Sequence, residues 1–169
     1  MDLREKKTKR SIINAFLTLR SQKNLERISV KALAELAEIS KATFYLHYRD
    51  IYDLSEQLQN EVIQNVLNSI AHPEYCLTES KIFIEELFQA FHAEQSLIET
   101  LFSGTQNSIL PTRIETELRR FIHEQYPDID KRTDMLLTYN IYGGYYVYRK
   151  YQKTTDMKEI IDVVAQAKI

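Results

Sequence analysis

The chain predicts an all-α fold, and three observations point to it. Only three glycines and three prolines interrupt 169 residues. The long stretches between them repeat apolar residues at helical spacing, without the sustained alternation of a strand. Two serines, Ser29 and Ser40, stand just ahead of short periodic runs, where a side-chain oxygen can accept from the free N–H groups of an opening helical turn.

Taken in order, a basic start, REKKTKR, leads into an apolar stripe of Ile12, Ile13, Phe16, Leu17 and Leu19, which predicts a first helix. The segment ISVKALAELAEISKATFYLHY, residues 28–48, then reads as two short helices. Ser29 opens the first, with Val30, Leu33, Ala34 and Ala37 at helical spacing. Ile39 lies between the two, and Ser40 opens the second, in which Ala42, Phe44, Leu46 and Tyr48 mix with Lys41, Thr43, Tyr45 and His47. Helices this short need a third to pack against, and the first helix supplies it. Asp50 can cap the next helix, whose Ile51, Leu54, Leu58, Val62, Val66 and Ile70 run on until His72-Pro73 stops it. Further helices are expected at about 79–92, 95–103, 107–125, 131–152 and 156–168, broken by Gly104, Pro111 and Pro127.

A formal net charge of −2 conceals a division. Residues 1–50 hold eleven Lys/Arg against six Asp/Glu, a net +5, and the remainder is −7. A basic head on an acidic body suits a nucleic-acid binder in which only the head meets phosphate, although uneven charge is also common on solvated helices. The single cysteine, Cys76, allows no internal disulfide and no thiolate cluster. No apolar run of about 18 residues and no signal-peptide pattern is present, so a soluble, cytoplasmic protein with no membrane contact is expected. No phosphate-cradling glycine loop, Cys–His arrangement, Ser-His-Asp signature or metal-binding His pair occurs, which argues against an enzyme and against a cofactor. His47 has neither a second histidine nor a carboxylate at i+4, and no metal site is expected.

The basic first helix, S-V-x-x-L-A-x-x-A, the turn and S-K-A-T-F-Y-x-H-Y together resemble the TetR family of bacterial transcriptional regulators, closely over the first third of the chain. The run F-Y-L-H-Y-R-D-I-Y-D-L further resembles a short branch of that family common in low-GC Gram-positive bacteria. The resemblance implies a three-helix helix-turn-helix DNA-binding domain over residues 1–49. A helical regulatory and dimerisation domain would follow over 50–169, with 50–71 as its linker helix. Matched position by position, Lys41, Ala42 and Thr43 would face base edges, Tyr45 and His47 the sugar-phosphate backbone, and Lys31 a guanine edge or a phosphate. Ser29 and Ser40 could add phosphate contacts. Three positions depart from the family pattern: Glu38 replaces the usual turn glycine, Ala42 stands where many members have glycine, and Ile51 where a phosphate-touching lysine is common. Arg49 is the nearest replacement for that lysine.

Residues 135–151, MLLTYNIYGGYYVYRKY, are apolar or aromatic nearly all the way round, so this helix must be covered on several sides. Gly143 and Gly144 each cost roughly 1 kcal/mol relative to alanine within a helix, and close approach of another helix is the simplest reason for them. In the family the last two helices of each subunit pair with their mates. The resemblance therefore implies a homodimer with Gly143, Gly144, Val147, Tyr148, Tyr151, Ile160 and Val164 at the interface, bound to a pseudo-palindromic operator. A buried core helix within one chain is the competing reading. The family also implies a pocket for a small apolar or aromatic ligand that releases DNA, with Phe88, Phe91, Phe102, Tyr139 and Tyr142 as candidate lining, each of which taken singly reads more readily as ordinary core. The function expected is a repressor released by such a ligand. The alternative is a ligand-independent DNA binder or co-activator whose body binds another protein, separable by whether the body holds a ligand-shaped cavity or an exposed apolar patch.

Overall fold

The structure, a computed structural model, describes residues 3–166. Among them the regular elements are nine α-helices with no strand: α1 (Leu3–Arg20), α2 (Val30–Leu36), α3 (Lys41–Tyr45), α4 (Ile51–Asn68), α5 (Ser80–Ala93), α6 (Gln95–Leu101), α7 (Leu110–Gln125), α8 (Lys131–Tyr151) and α9 (Met157–Gln166). Short 3-10 turns lie at Leu25–Arg27, Pro73–Cys76 and Gly104–Ser108. The residues form two compact units, Met1–Val62 with Ser96–Asn107, and Ile63–Gln95 with Ser108–Ile169. The boundary suggested by the sequence motif, after residue 49, differs from this division. Compactness carries the first unit through most of α4 and adds α6 with the turn behind it.

In the first unit α1 packs on α2 and α2 on α3. Ile12, Phe16, Leu33, Phe44 and Leu54 are fully buried. The first two turns of α1 carry no buried residue, because residues 3–10 are nearly all polar; the packed half begins at Ile12. Arg20, at the end of α1, is also buried. Its guanidinium donates to the Lys23 carbonyl at 2.8 Å and to the Ser103 Oγ at 2.7 Å, with longer bonds to the carbonyls of Ser103 and Leu101. Gln59 of α4 donates to the same Leu101 carbonyl at 3.2 Å. Burial holds the Arg20 pKa below its usual value, opposed by the nearby Glu26 carboxylate.

The turn between α2 and α3 is a tight left-handed reversal. Glu38 sits at φ 55°, the sole non-glycine in the positive-φ region among the described residues. The Ile39 N–H donates to the Ala34 carbonyl at 3.0 Å and the Glu38 N–H to the Glu35 carbonyl at 3.3 Å, the paired bonds of a Schellman ending. These satisfy carbonyls that the end of α2 would otherwise leave open, and they offset the strain of a side chain in this region, about 1–2 kcal/mol.

In the second unit α5, α8 and α9 pack together, and α7 packs on α8. Phe88, Ile160 and Ile161 are buried at the centre, with Ile84, Val147, Tyr148, Met157 and Val164 around them. Lys81 and Asp162 form an ion pair of 2.6 Å between α5 and α9. Gly144 allows α9 close approach, since a Cβ there would lie 3.2 Å from Val164 Cγ1, whereas a Cβ at Gly143 would meet nothing within 4 Å. Arg119 of α7 pairs with Glu115 at 2.8 Å and reaches Asp134 and Thr138 of α8. The Cys76 thiol is buried and pushed up to about 11, so it stays protonated and unreactive near neutrality.

Behind α4 the chain is held by Glu86. Its carboxylate accepts from the backbone N–H groups of Ala71 and His72, both at 3.0 Å, and meets the His72 Nδ1 at 2.6 Å. The His72 ring also stacks on Tyr75 at 4.9 Å between centroids. The hydrogen bond to Glu86 raises the His72 pKa above 6.5, and the same bond lowers Glu86 below 4.5.

Two measurements follow. Glu38→Gly should increase unfolding stability by about 1 kcal/mol, because glycine adopts positive φ without Cβ strain. Urea denaturation checks this, and a loss of stability would mean that the Glu38 side chain contributes more than it costs. For the second, His72 contributes stability that is complete below its unfolded pKa and lost as pH rises through its folded one. Glu86 contributes above its unfolded pKa and loses that contribution as pH falls through its folded one, so the pair is strongest between about pH 4.5 and 6.5. The stability advantage of the native chain over His72→Gln should therefore shrink as pH is raised from about 5.5 to 8. An advantage that does not change with pH would assign the contribution of His72 to stacking instead.

Candidate nucleic-acid interface

The surface formed by α2, the Glu38 turn and α3 is assembled by two N-caps and one buried ring. The Ser29 hydroxyl accepts from the Ala32 N–H at 3.2 Å and the Ser40 hydroxyl from the Thr43 N–H at 3.0 Å. Each such cap contributes about 1 kcal/mol. Ser40 Oγ and Thr43 Oγ1 also lie 2.8 Å apart. Phe44 is fully buried and Tyr48 nearly so, their centroids 5.8 Å apart, and together they fix which side of α3 faces inward. Truncating a ring packed like Phe44 to alanine typically costs 3–5 kcal/mol, roughly.

The other side of α3 faces solvent. Lys41, Ala42, Tyr45 and Leu46 are exposed, while Thr43 and His47 are half-exposed. Tyr45 sets its ring edge-on to Phe44 at 5.5 Å, which steadies the aromatic body while its hydroxyl end remains outside. Ser29, Ser40 and Arg49 are exposed on the margins. Two of the basic residues named from the sequence are already engaged. Lys31 pairs with Glu35 one turn away at 3.9 Å, and Arg49 pairs with Asp53 at 3.3 Å, which also accepts from the Arg49 backbone N–H at 2.9 Å. Exposed pairs of this kind contribute little, so another anion can displace them readily. Lys41 has no hydrogen-bond or ion-pair partner among the described residues.

The residues named for an interface between copies divide. Gly144, Val147, Tyr148, Ile160 and Val164 are used inside the second unit, where Tyr148 stacks on Phe88 at 5.4 Å. Tyr151 is exposed, with the Lys150 ammonium 5.2 Å from its ring centroid. Gly143 opens onto free space. The exposed side of α8 instead carries Met135, Tyr139 and Tyr146, at 64%, 70% and 58% exposure. Sequence periodicity placed apolar residues all round this helix and therefore could not say which side faced outward.

The five residues named for a ligand pocket fall in both units. Phe88 is core of the second unit, Phe102 is buried in the first, Tyr139 is exposed, and Phe91 and Tyr142 are half-buried. A cleft of about 420 Å³ lies in the first unit, with Arg20, Lys23, Asn24, Glu99 and Thr100 in its wall, and its polar character differs from the apolar cavity expected. No group of three or more His, Cys, Asp or Glu able to hold a metal ion occurs among the described residues, and no helix there is long and apolar enough to cross a membrane. Leu46, one apolar residue among several in this run, is 82% exposed at the end of α3. No protein family, curated protein or solved structure matches the chain.

Proposed function

We propose that the chain is a DNA-binding transcriptional regulator of the TetR type that acts as a homodimer, with α3 as the helix entering the major groove. The observation that carries this reading is the division of α3 itself. Phe44 and Tyr48 anchor one side, while Lys41, Ala42, Thr43, Tyr45 and His47 stand on the other with ammonium, hydroxyl and imidazole groups able to meet DNA. The +5 charge of residues 1–50, and the basic, unburied start of α1, supply attraction to phosphate.

The second copy would dock on the outward side of α8, where Met135, Tyr139 and Tyr146 recur at helical spacing beside the open Gly143. A two-fold pair then offers two copies of α3, suited to half-sites about 34 Å apart or a multiple of that.

Fluorescence anisotropy on the DNA upstream of the protein's own gene, against scrambled duplex, tests the main reading. Selective binding is expected, weakening on the order of a hundredfold or more between about 50 and 200 mM salt. Thr43→Ala should alter base preference, and Lys41→Ala should mainly lower affinity; equal binding by both variants would remove α3 from the interface. Tyr139→Glu combined with Tyr146→Glu should give a folded monomer in sedimentation equilibrium, and an unchanged dimer would place the two-fold contact on another face.

A further inference from the structure

We infer that the outward pole of α3 reads thymine methyl groups, and that Leu46 is the specificity-determining residue; this rests on the DNA-binding reading above. The geometry follows from the helical period. Phe44 and Tyr48, one turn apart, mark the inward direction. Directly opposite them lie Ala42 and Leu46, also one turn apart, so that their side chains are neighbours on the helix surface. Leu46 is the C-cap residue but keeps helical dihedrals, φ −71° and ψ −22°, and the period therefore extends to it. Both residues are exposed, Leu46 to 82%.

Single exposed leucines are ordinary on protein surfaces, so exposure by itself assigns nothing. What distinguishes Leu46 is its surroundings. On the helical period Lys41 and Tyr45 fall along one flank of the Ala42–Leu46 strip, and Thr43 and His47 along the other. An apolar centre within a rim of cationic and hydroxyl groups complements a groove whose walls are phosphate and whose floor carries an apolar group. In the major groove of duplex DNA that group is the C5-methyl of thymine. The outward side of α3 holds no arginine, asparagine or glutamine, which leaves Lys41 and Thr43 as the polar base readers on it. Cytosine at the same position presents N4–H2 where thymine presents O4, and leucine satisfies neither, so discrimination of thymine from cytosine on this strip rests on the gained methyl contact.

The test uses the full chain and duplexes it selects itself from a randomised pool. Each thymine of an enriched duplex is replaced singly by uracil, which removes the methyl and leaves base pairing intact, and binding is read by anisotropy. At one or two positions in each half-site uracil should weaken binding by the native chain about three- to tenfold. Leu46→Ala should bind the thymine and uracil duplexes equally, with an unchanged thermal melt because the side chain is solvent-exposed. Equal affinity of the native chain for both duplexes overturns the methyl reading while leaving DNA binding intact. Uracil sensitivity that persists in Leu46→Ala overturns the assignment to Leu46. A pool in which no sequence is enriched overturns the DNA-binding reading and this inference with it.

Discussion

The outward surface of α3 depends on the burial of Phe44. A helix of five residues has no stability of its own in water, since nucleation consumes more order than so few hydrogen bonds return. Its shape is imposed from outside: by the Ser40 cap at one end, by the Glu38 reversal that delivers the chain to that cap, and by the Phe44 and Tyr48 rings behind. Because these constraints act on the inward side and the ends, the outward positions are released from any part in folding. Lys41, Ala42, Thr43 and Leu46 can then be chosen for what they meet in solvent. This separation of duties frees the outward residues of a very short helix without putting the fold at risk.

Arg20 supplies the corresponding constraint in the rest of the first unit. A guanidinium removed from water is costly, and this one has no carboxylate in hydrogen-bond contact to compensate. Its partners are the Ser103 hydroxyl and the carbonyls of Lys23, Ser103 and Leu101, the last at the end of α6, where a helix leaves acceptors open and its dipole favours positive charge. One side chain therefore ties the end of α1 to the end of α6, and Gln59 adds a second donor at Leu101. The Arg20 Nε remains buried without a partner, a residual cost consistent with a site selected for holding two segments together more than for full hydrogen-bond satisfaction.

Local chemistry was legible in the sequence, and remote pairing was not. Ser29, Ser40 and Asp50 announced helix starts because an N-cap is decided within three residues, and the corresponding bonds are made, Asp50 accepting from the Asp53 N–H at 2.8 Å. Expected helix limits such as 79–92 and 131–152 lie within a residue of α5 and α8 for the same reason. The attachment of residues 96–107 to the first unit rests on Arg20 meeting Ser103, 83 positions away, and no periodicity encodes that. Candidate surfaces behaved likewise. In α3 the alternation of polar and apolar residues was visible, and Phe44 and Tyr48 are the buried pair while Leu46 is exposed. Aromatic content likewise identifies core-forming residues without saying which core each one joins, Phe88 being buried in the second unit and Phe102 in the first.

The two central glycines of α8 show where that limit bears on assembly. Sequence reasoning gave both the same explanation, since each lowers helix propensity by the same amount, roughly 1 kcal/mol relative to alanine. Gly144 recovers its cost within the chain, by admitting Val164 to a distance that a Cβ would crowd. Gly143 recovers nothing there, because a Cβ would stand in open space. It shares that outward side with Met135, Tyr139 and Tyr146, whose apolar surface is likewise unused by the second unit. An unrepaid glycine beside unburied aromatics leaves one side of the helix free for a partner outside the second unit. The proposed homodimer thus draws its support from the position that intrachain packing leaves unexplained.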